Sequence, residues 1–221
     1  MGVVVTVTLL ARVLADSATV HMKMSASVRR VRITAVAWLA AGIVYLGSEA
    51  VAAASFPSSY SYVRNFISDL GVPAQSPLAW LMNTGFCAQG ALFALGAVAI
   101  RARWLTALTA VNFFGNLTIA FFHSGSATHA VGAVLAIAGG NAAILAGASI
   151  VGTWHRTVSL GLGALGLLSF ALFAVELKTG SGYLGLLERC SVYPITAWQL
   201  LTAATLFSRR PTPWPSRARR A

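Results

Sequence analysis

Carboxylates and histidines near the ends of long apolar segments are the groups in this chain that could do chemistry. Glu49 and Glu188 each lie within an apolar run, and Asp69 lies in a polar stretch between two runs. His123 and His129 flank a short connection. Such groups can transfer protons or hold a metal ion. Their spacing fits neither His-x3-His nor His-Glu-x-x-His, so we expect no metal and no cofactor.

The overall composition indicates what surrounds these groups. The chain of 221 residues is 57% hydrophobic and 10% charged, whereas a soluble domain carries about 25% charged residues. We therefore expect an integral membrane protein whose main partner is the lipid bilayer. The net charge of +11 does not indicate nucleic-acid binding, because the basic residues lie between apolar runs rather than on one soluble face.

Six apolar runs predict an all-α fold, a polytopic six-helix transmembrane bundle covering residues 33–207. Each run approaches or exceeds the ~20 residues that cross the hydrocarbon core of a bilayer. Residues 1–32 are predicted to be a disordered or misannotated extension, and residues 208–221 a basic disordered tail. The runs are residues 33–55, 77–100, 104–122, 127–151, 158–177 and 183–207.

Lysine and arginine are distributed unequally between the two sides of this bundle. Thirteen of the 16 basic residues fall in the two terminal segments and in the loops after the second and fourth runs. The positive-inside rule therefore predicts a multi-pass protein of the cell membrane with both termini in the cytoplasm. Glu49, Asp69, His129 and Glu188 then lie towards the extracytoplasmic side.

A polar stretch, residues 58–73, separates the first two runs. Its apolar residues recur at i, i+3, i+4 and i+7, which is the pattern of a helix with one apolar stripe. We predict a short amphipathic extracytoplasmic helix between the first and second transmembrane helices, lying on the membrane surface. The stripe consists of Val63, Phe66, Ile67 and Leu70.

Buried charges in such a bundle need partners. A charge at mid-membrane costs ~2.5–3.5 kcal/mol on insertion scales. We expect Glu188 to meet Arg64 or a histidine, and Arg189 to meet Asp69 or Glu49. Asp69 is favoured for Arg189, because a carboxylate near a helix C-terminus opposes the helix dipole. Structural pairing that fixes helix register is the alternative. The candidate binding or polar-cluster residues are Glu49, Arg64, Asn65, Ser68, Asp69, His129, Glu188 and Arg189.

Three segments resemble the membrane family catalogued as domain of unknown function 998. The first is Tyr-Val-Arg-Asn-Phe-Ile-Ser-Asp-Leu-Gly at residues 62–71, and the others are residues 122–133 and 187–198. The resemblance covers about residues 33–207 and implies a six-helix bundle with no established activity. This chain departs from the family pattern at His123, where a proline is expected. More remotely, Ile-Ser-Asp-Leu-Gly at residues 67–71 is similar to the DRAM and GPI-lipid-remodelling group, which implies lipid-related work.

Three functions are compatible with these features. The protein could bind a lipid or small amphiphile through the polar cluster at its outer face. It could be a membrane-embedded lipid-modifying enzyme that uses the outer His/Asp/Glu cluster, although no catalytic residue is assigned by spacing. It could also be a scaffold without turnover. The sequence leaves the ligand, the existence of a reaction and the oligomeric state open.

Overall fold

The structure is a bundle of six α-helices. The computed structural model describes residues 2–57, 60–180 and 182–208, and within these ranges it describes side chains from residue 26 onward. Long apolar segments form helices because a helix satisfies its own backbone hydrogen bonds where water is absent. The helices are α1 (Gly2–Ala54), α2 (Ala79–Ile100), α3 (Arg103–Phe121), α4 (Ala127–Ala146), α5 (Thr153–Thr179) and α6 (Leu184–Ser208).

Five of the helices are long and apolar enough to cross a membrane. They are α2 to α5 and the part of α1 at Ala26–Ala54. The sixth, α6, is also long, but its inward face carries buried polar side chains that include Arg189, Gln199 and Thr202. The chain is therefore an all-α membrane protein with several membrane-spanning helices.

The helices pack as a ring in chain order. Each helix contacts the next one, α6 closes the ring against α1, and α4 also touches α6. Glycines allow the closest approach, between α3 and α4. A Cβ added at Gly115 would lie 2.2 Å from the backbone nitrogen of Ala136, and one added at Gly132 would lie 2.8 Å from Cβ of Thr118. Small residues at these crossings bring the backbones together, as in other membrane bundles.

An aromatic cluster fills the bundle interior away from the segment that links α1 to α2. The ring centroids of Trp38, Phe93 and Trp198 lie 5.0 to 6.0 Å apart, and all three side chains are fully buried. The indole of Trp38 donates to the Phe93 carbonyl (3.0 Å), and that of Trp198 donates to Ser159 Oγ (2.8 Å). Because a helix rises about 1.5 Å per residue, Trp198 and the apolar packing around it lie about 14 Å along α6 from Arg189.

His155 belongs to this inner half. It lies in the first turn of α5 and is 1% exposed. Its Nε2 lies 2.9 Å from Thr202 Oγ1, and its Nδ1 lies 3.3 Å from Ser159 Oγ. These contacts join α5 to α6.

The prediction of an amphipathic surface helix in residues 58–73 is wrong. Residues 60–67 fold as turns, and only Ser68–Gly71 forms a short 3-10 helix. The cause is local competition by polar side chains for backbone groups. The side chain of Asn65 accepts from the Ser61 amide (2.9 Å), and that of Asp69 accepts from the Phe66 amide (3.0 Å). The periodic stripe is buried at Ile67 and Leu70, while Val63 is 41% exposed.

The N-terminal boundary also differs from the predicted one. The helix α1 begins at Gly2, so residues 26–32 are helical rather than disordered. Neither glycine nor proline interrupts the chain between Val3 and Ala41, so nothing local stops the helix. The side chains of residues 2–25 lie outside the described residues. So does the predicted disordered tail from residue 209 onward.

Candidate functional site

At the end of the bundle where a segment links α1 to α2, the most heavily bonded side chain is Arg189 of α6. It is 4% exposed and forms an ion pair with Glu49 of α1, which is 2% exposed. Its Nε and Nη2 both lie 3.0 Å from Glu49 Oε1. The hydroxyl of Tyr193 donates to the same carboxylate at 3.0 and 3.1 Å. The predicted pair between Asp69 and Arg189 is therefore wrong, and the alternative partner, Glu49, is the one observed.

The same guanidinium holds the segment between α1 and α2 in place. Its Nη1 donates to the carbonyls of Tyr62 (2.8 Å), Asn65 (2.9 Å) and Gly185 (3.0 Å), and its Nη2 donates to the Tyr60 hydroxyl. The guanidinium also lies 4.7 Å from the ring centre of Tyr62. Three of these acceptors, the Tyr60 hydroxyl and the carbonyls of Tyr62 and Asn65, lie in the segment between α1 and α2. Turns leave such carbonyls free, whereas a regular helix would have paired them with its own backbone amides. All five N–H groups of Arg189 are engaged.

Glu188 also binds the segment between α1 and α2, at a different point. We call residues 60–78 of this segment the linking segment. Its Oε2 accepts from the backbone amide of Ile67. Neither Arg64 nor His129 forms a hydrogen bond with it within the described residues, so the predicted partners are wrong. The reason is geometric, because the turns direct the Ile67 amide at α6 while Arg64 is exposed at the surface.

Asp69 is satisfied locally. It accepts from the Phe66 amide and lies near enough to His129 for the imidazole to favour its charged form. Burial outweighs these effects and raises the pKa of Asp69 above its ordinary value. The remaining candidate, Asn65, uses its side chain inside the turn and its carbonyl on Arg189. Both residues therefore shape the linking segment.

His129 lies one turn into α4 and is 9% exposed. Its backbone amide is capped by Ser126 Oγ (3.1 Å), and its Nδ1 lies 2.8 Å from the Phe122 carbonyl. A carbonyl is only an acceptor, so Nδ1 carries a proton, and in the neutral imidazole Nε2 then has a lone pair. Within the described residues no hydrogen-bond partner occupies Nε2.

A small internal cavity of about 40 Å³ lies beneath the linking segment. Such a space accommodates one or more water molecules. Its polar wall combines outer-end groups with amides from α2 and α3, which hydrogen-bond to one another. Asn116 Nδ2 lies 3.1 Å from Gln89 Oε1 and 3.2 Å from Asn112 Oδ1, and Asn112 Nδ2 donates to the Ala136 carbonyl (2.7 Å). The polar lining residues are Ser68, Gln89, Asn112, Asn116, His129, Glu188 and Thr196.

A larger groove of about 520 Å³ opens beside this cavity. Its walls are mostly apolar and come from α4 and α5, with the loop before α4 at its mouth. The apolar wall residues include Val134, Phe170, Phe173, Ala174 and Leu177. A ring contact of 5.8 Å between Phe66 and Phe173 joins the groove to the linking segment.

The two spaces meet at one polar junction. Ser68, His129 and Glu188 line both the cavity and the groove, together with the apolar residues Ala133 and Ile137. Within the described residues no hydrogen-bond partner is present for Ser68 Oγ or for Oε1 of Glu188. We call Ser68, His129 and Glu188 the junction triad. It is the part of the predicted cluster that faces open space, whereas Glu49 and Arg189 are bonded to each other.

Sequence reasoning missed the amides of the cavity wall. Gln89, Asn112 and Asn116 are not among the candidate residues predicted from the sequence. A further buried amide, Asn141 Nδ2, donates to the Ser191 carbonyl (2.8 Å) of α6. The i, i+4 spacing of the two α3 asparagines was the available signal, because it places both amides on one helix face. The order of the helices in the ring, and not the spacing of the two asparagines, determines which helix this face contacts.

No group of three potential metal-ligating side chains is found in the part of the chain that the structure describes. The acid–base groups are also divided by their bonding. Glu49 neutralises Arg189, while Glu188 and His129 keep free polar atoms at the junction. The arrangement is therefore suited to hydrogen bonding with a guest in the groove.

Comparison with known families agrees with the first resemblance. The model of the family described as "Protein of unknown function (DUF998)" matches residues 38–205, which is most of the chain and includes the whole junction triad. No match is found among curated proteins or among solved structures. The remoter resemblance to the DRAM and GPI-lipid-remodelling group stays a prediction. The chain belongs to the DUF998 family of membrane proteins.

Proposed function

We propose that this protein binds a lipid or another small amphiphile, with its apolar part in the groove and its polar end at the junction triad. The observation that carries the proposal is that Ser68, His129 and Glu188 line both the apolar groove and the polar cavity. Ligand sites are typically concave and mostly apolar, with a few convergent polar groups. The groove and the triad have this composition.

The direction of the groove supports a lipid-derived ligand. Val134, Leu172 and Val175 on α4 and α5 are about half exposed, so the groove walls continue into an apolar outer surface. A lipid chain could enter sideways from the bilayer without crossing water. A soluble ligand would have to enter past the exposed loop of residues 122–126 instead.

The inner half of the bundle supports binding rather than passage. The packed rings of Trp38, Phe93 and Trp198 lie between the cavity and the opposite end. Close-packed interiors leave few voids large enough for a solute. A guest at the junction triad therefore meets a closed end rather than a path across the membrane.

Six membrane crossings are part of the proposal. The ring order of the helices requires α6 to run alongside α1 and α5. The Leu186 amide donates to the Val63 carbonyl at one end of α6 (2.9 Å), and Thr202 contacts His155 near the other. Exposed aromatics mark two boundaries, as in membrane interfaces. Trp80 and Tyr183 lie at one end, and Trp104 and Trp154 lie at the other.

Native mass spectrometry of the protein released from lipid nanodiscs tests the binding. Ala130→Trp places an indole at the exposed rim of the groove, where Ala130 lines the space. We expect the wild-type protein to retain one amphiphile per chain and the variant to lose it. Val131→Trp is the matched control, because Val131 is the next residue along the chain, is 59% exposed and does not line the groove.

Equal retention by both variants would contradict the proposed site. A wild-type protein that retains no amphiphile, under conditions in which the bundle stays folded, would favour the scaffold function instead.

A lipid-modifying enzyme is the second candidate, and the geometry of His129 favours it. With Nδ1 on the Phe122 carbonyl, Nε2 presents a lone pair to the same junction as the Ser68 hydroxyl. A neutral imidazole held in this way is a suitable general base. If the site is catalytic, His129→Gln should abolish turnover of an ester-linked lipid probe that the apolar groove still retains. Unchanged turnover, or none in the wild-type protein, would exclude this function for that probe.

A further inference from the structure

We infer that the groove selects an amphiphile whose polar end donates hydrogen bonds and carries no negative charge, such as a hydroxyl or an ammonium group. This inference rests on the proposed binding function. It comes from the charge and the free hydrogen-bonding atoms that face the junction of cavity and groove.

The first step concerns the cations. Phosphate recognition in proteins relies on arginine, lysine or clustered backbone amides. Arg189 is the arginine nearest to the triad in sequence, and its five N–H groups already serve Glu49, Tyr60 and three carbonyls. Among the described residues that line the cavity and the groove there is no arginine and no lysine. An anionic head group would therefore find no cation free to bind it.

The second step concerns the carboxyl group of Glu188. Glu188 lines both spaces, and its bond to the Ile67 amide occupies only Oε2. Like charges at close range repel, most strongly where water is scarce. A phosphate or carboxylate head group would meet the carboxyl group of Glu188 and, among the described lining residues, no cation.

The third step concerns the lone pairs. In the neutral imidazole, His129 Nε2 is an acceptor, because Nδ1 carries the proton towards the Phe122 carbonyl. Glu188 Oε1 is an acceptor when ionised, and Ser68 Oγ can accept or donate. A head group that donates satisfies these atoms, and one that only accepts leaves them unpaired. A buried polar atom left unpaired weakens binding.

Three probes with one chain length separate the possibilities. Hexadecan-1-ol, hexadecylamine and hexadecyl phosphate differ only in the head group. Each is titrated in nanodiscs against a photoreactive hexadecanol analogue, with cross-linking to wild-type protein as the readout. We expect the alcohol and the amine to displace the analogue, and the phosphate to need a concentration about tenfold higher or more, since it forgoes favourable contacts worth at least one hydrogen bond.

The variant Glu188→Gln tests the cause. Its amide oxygen can still accept from Ile67, so the fold should be kept, but position 188 can no longer carry a negative charge. We expect the amine to lose its displacement strength relative to the alcohol, and the phosphate to gain. Glu176→Gln is the control, because Glu176 is buried but does not line the cavity or the groove. It should leave the ranking of the three probes unchanged.

The outcomes separate the inference from the function on which it rests. Displacement by all three probes at equal concentration, or best by the phosphate, would overturn the head-group selectivity and leave binding intact. No saturable cross-linking of the analogue to the groove would overturn the proposed function and the inference together. The probe comparison uses wild-type protein, so it decides the inference even if Glu188→Gln does not fold.

Discussion

At the scale of single residues, the outer cluster divides into a structural half and an open half. Glu49 and Arg189 satisfy each other and the linking segment, while the junction triad keeps free polar atoms. A buried ion pair adds little net stability, because desolvation offsets the attraction. Its members are nevertheless costly to separate, since the partner left behind is a buried, uncompensated charge. This cost gives the first prediction.

Removing the carboxylate of Glu49 should strongly destabilise the bundle. In Glu49→Ala the guanidinium of Arg189 stays buried without its counter-ion, and breaking such pairs costs about 3–5 kcal/mol. The free energy of unfolding, measured by SDS titration in mixed micelles, should fall by that amount. Arg64→Ala is the control. Its side chain is exposed, so its effect should stay within about 0.5 kcal/mol. Equal effects of the two substitutions would contradict the assigned ion pair.

Asp69 gives a prediction about pH. Its pKa is raised in the folded protein by burial, so the folded state binds the proton more tightly than the unfolded state does. Stability should therefore be lost as the pH rises from the unfolded pKa through the raised folded pKa. Asp69→Asn stays neutral and can still accept from the Phe66 amide. Its melting temperature should exceed that of the wild type at pH 7.

The difference in melting temperature between Asp69→Asn and the wild type should shrink as the pH is lowered below the raised pKa of Asp69, because wild-type Asp69 is then neutral as well. Melting curves of both proteins between pH 4 and pH 7 measure it. An asparagine variant that is less stable than the wild type at pH 7 and equal to it at pH 4 would show that the ionised carboxylate stabilises the fold.

At the scale of elements, the linking segment and α6 fit together by close backbone contact. Gly185 lies against the backbone of Asn65, and a Cβ there would lie 2.3 Å from the Asn65 carbonyl oxygen. That oxygen also accepts from Arg189. A side chain at position 185 should therefore push the segment away from its anchor.

Gly185→Ala should destabilise the protein by about 1–3 kcal/mol, the usual cost of overpacking. Gly161→Ala in α5 is the matched control, because nothing lies within 4 Å of a Cβ added there. Helix propensity alone should make that control neutral or stabilising by up to about 1 kcal/mol. The unfolding free energies of both variants provide the check. If Gly185→Ala were as stable as Gly161→Ala, the segment would not be seated on α6 as described.

At the scale of elements, local sequence patterns predicted the helices but not the conformation of the linking segment. Apolar run length predicted the helices from α2 onward to within a few residues, because run length is a local property. The spacing of Val63, Phe66, Ile67 and Leu70 failed, because polar side chains at positions 65 and 69 bond to the nearby backbone and favour turns. The segment is then held by long-range bonds from Arg189, which no local pattern encodes.

The ionisable residues of the candidate site were among those proposed from the sequence, whereas the partner of Glu188 and the amides of the cavity wall were not. Glu188, Arg189 and His129 stand out in the sequence because charged and ionisable residues within apolar runs need a reason to be there. The choice between Asp69 and Glu49 as the partner of Arg189 depended on the path of the linking segment. The cavity wall of Gln89, Asn112 and Asn116 depended on the ring order of the helices.

At the scale of the whole molecule, we predict six crossings with both termini in the cytoplasm. Single cysteines at two exposed positions, one in a loop and one at the start of α5, test this, with Cys87 and Cys190 replaced by serine. His123→Cys lies on the predicted outer side and Thr153→Cys on the predicted inner side. In intact cells an impermeant maleimide should label position 123 and should label position 153 only after lysis. The reverse pattern would invert the topology, and labelling of both would contradict the alternation of crossings.

The most direct test of the central claim is to map where a bound amphiphile touches the protein. A hexadecanol analogue with a diazirine at the end of its chain is cross-linked in nanodiscs, and the labelled peptides are identified by mass spectrometry. We predict labelling of α4 and α5 around Val134, Phe170 and Phe173 that an unlabelled competitor abolishes. Labelling at lipid-facing positions outside the groove, such as Leu95 and Phe114, should resist competition. Uniform labelling of all lipid-facing helices, with no competition at the groove, would contradict the claim that this protein holds an amphiphile there.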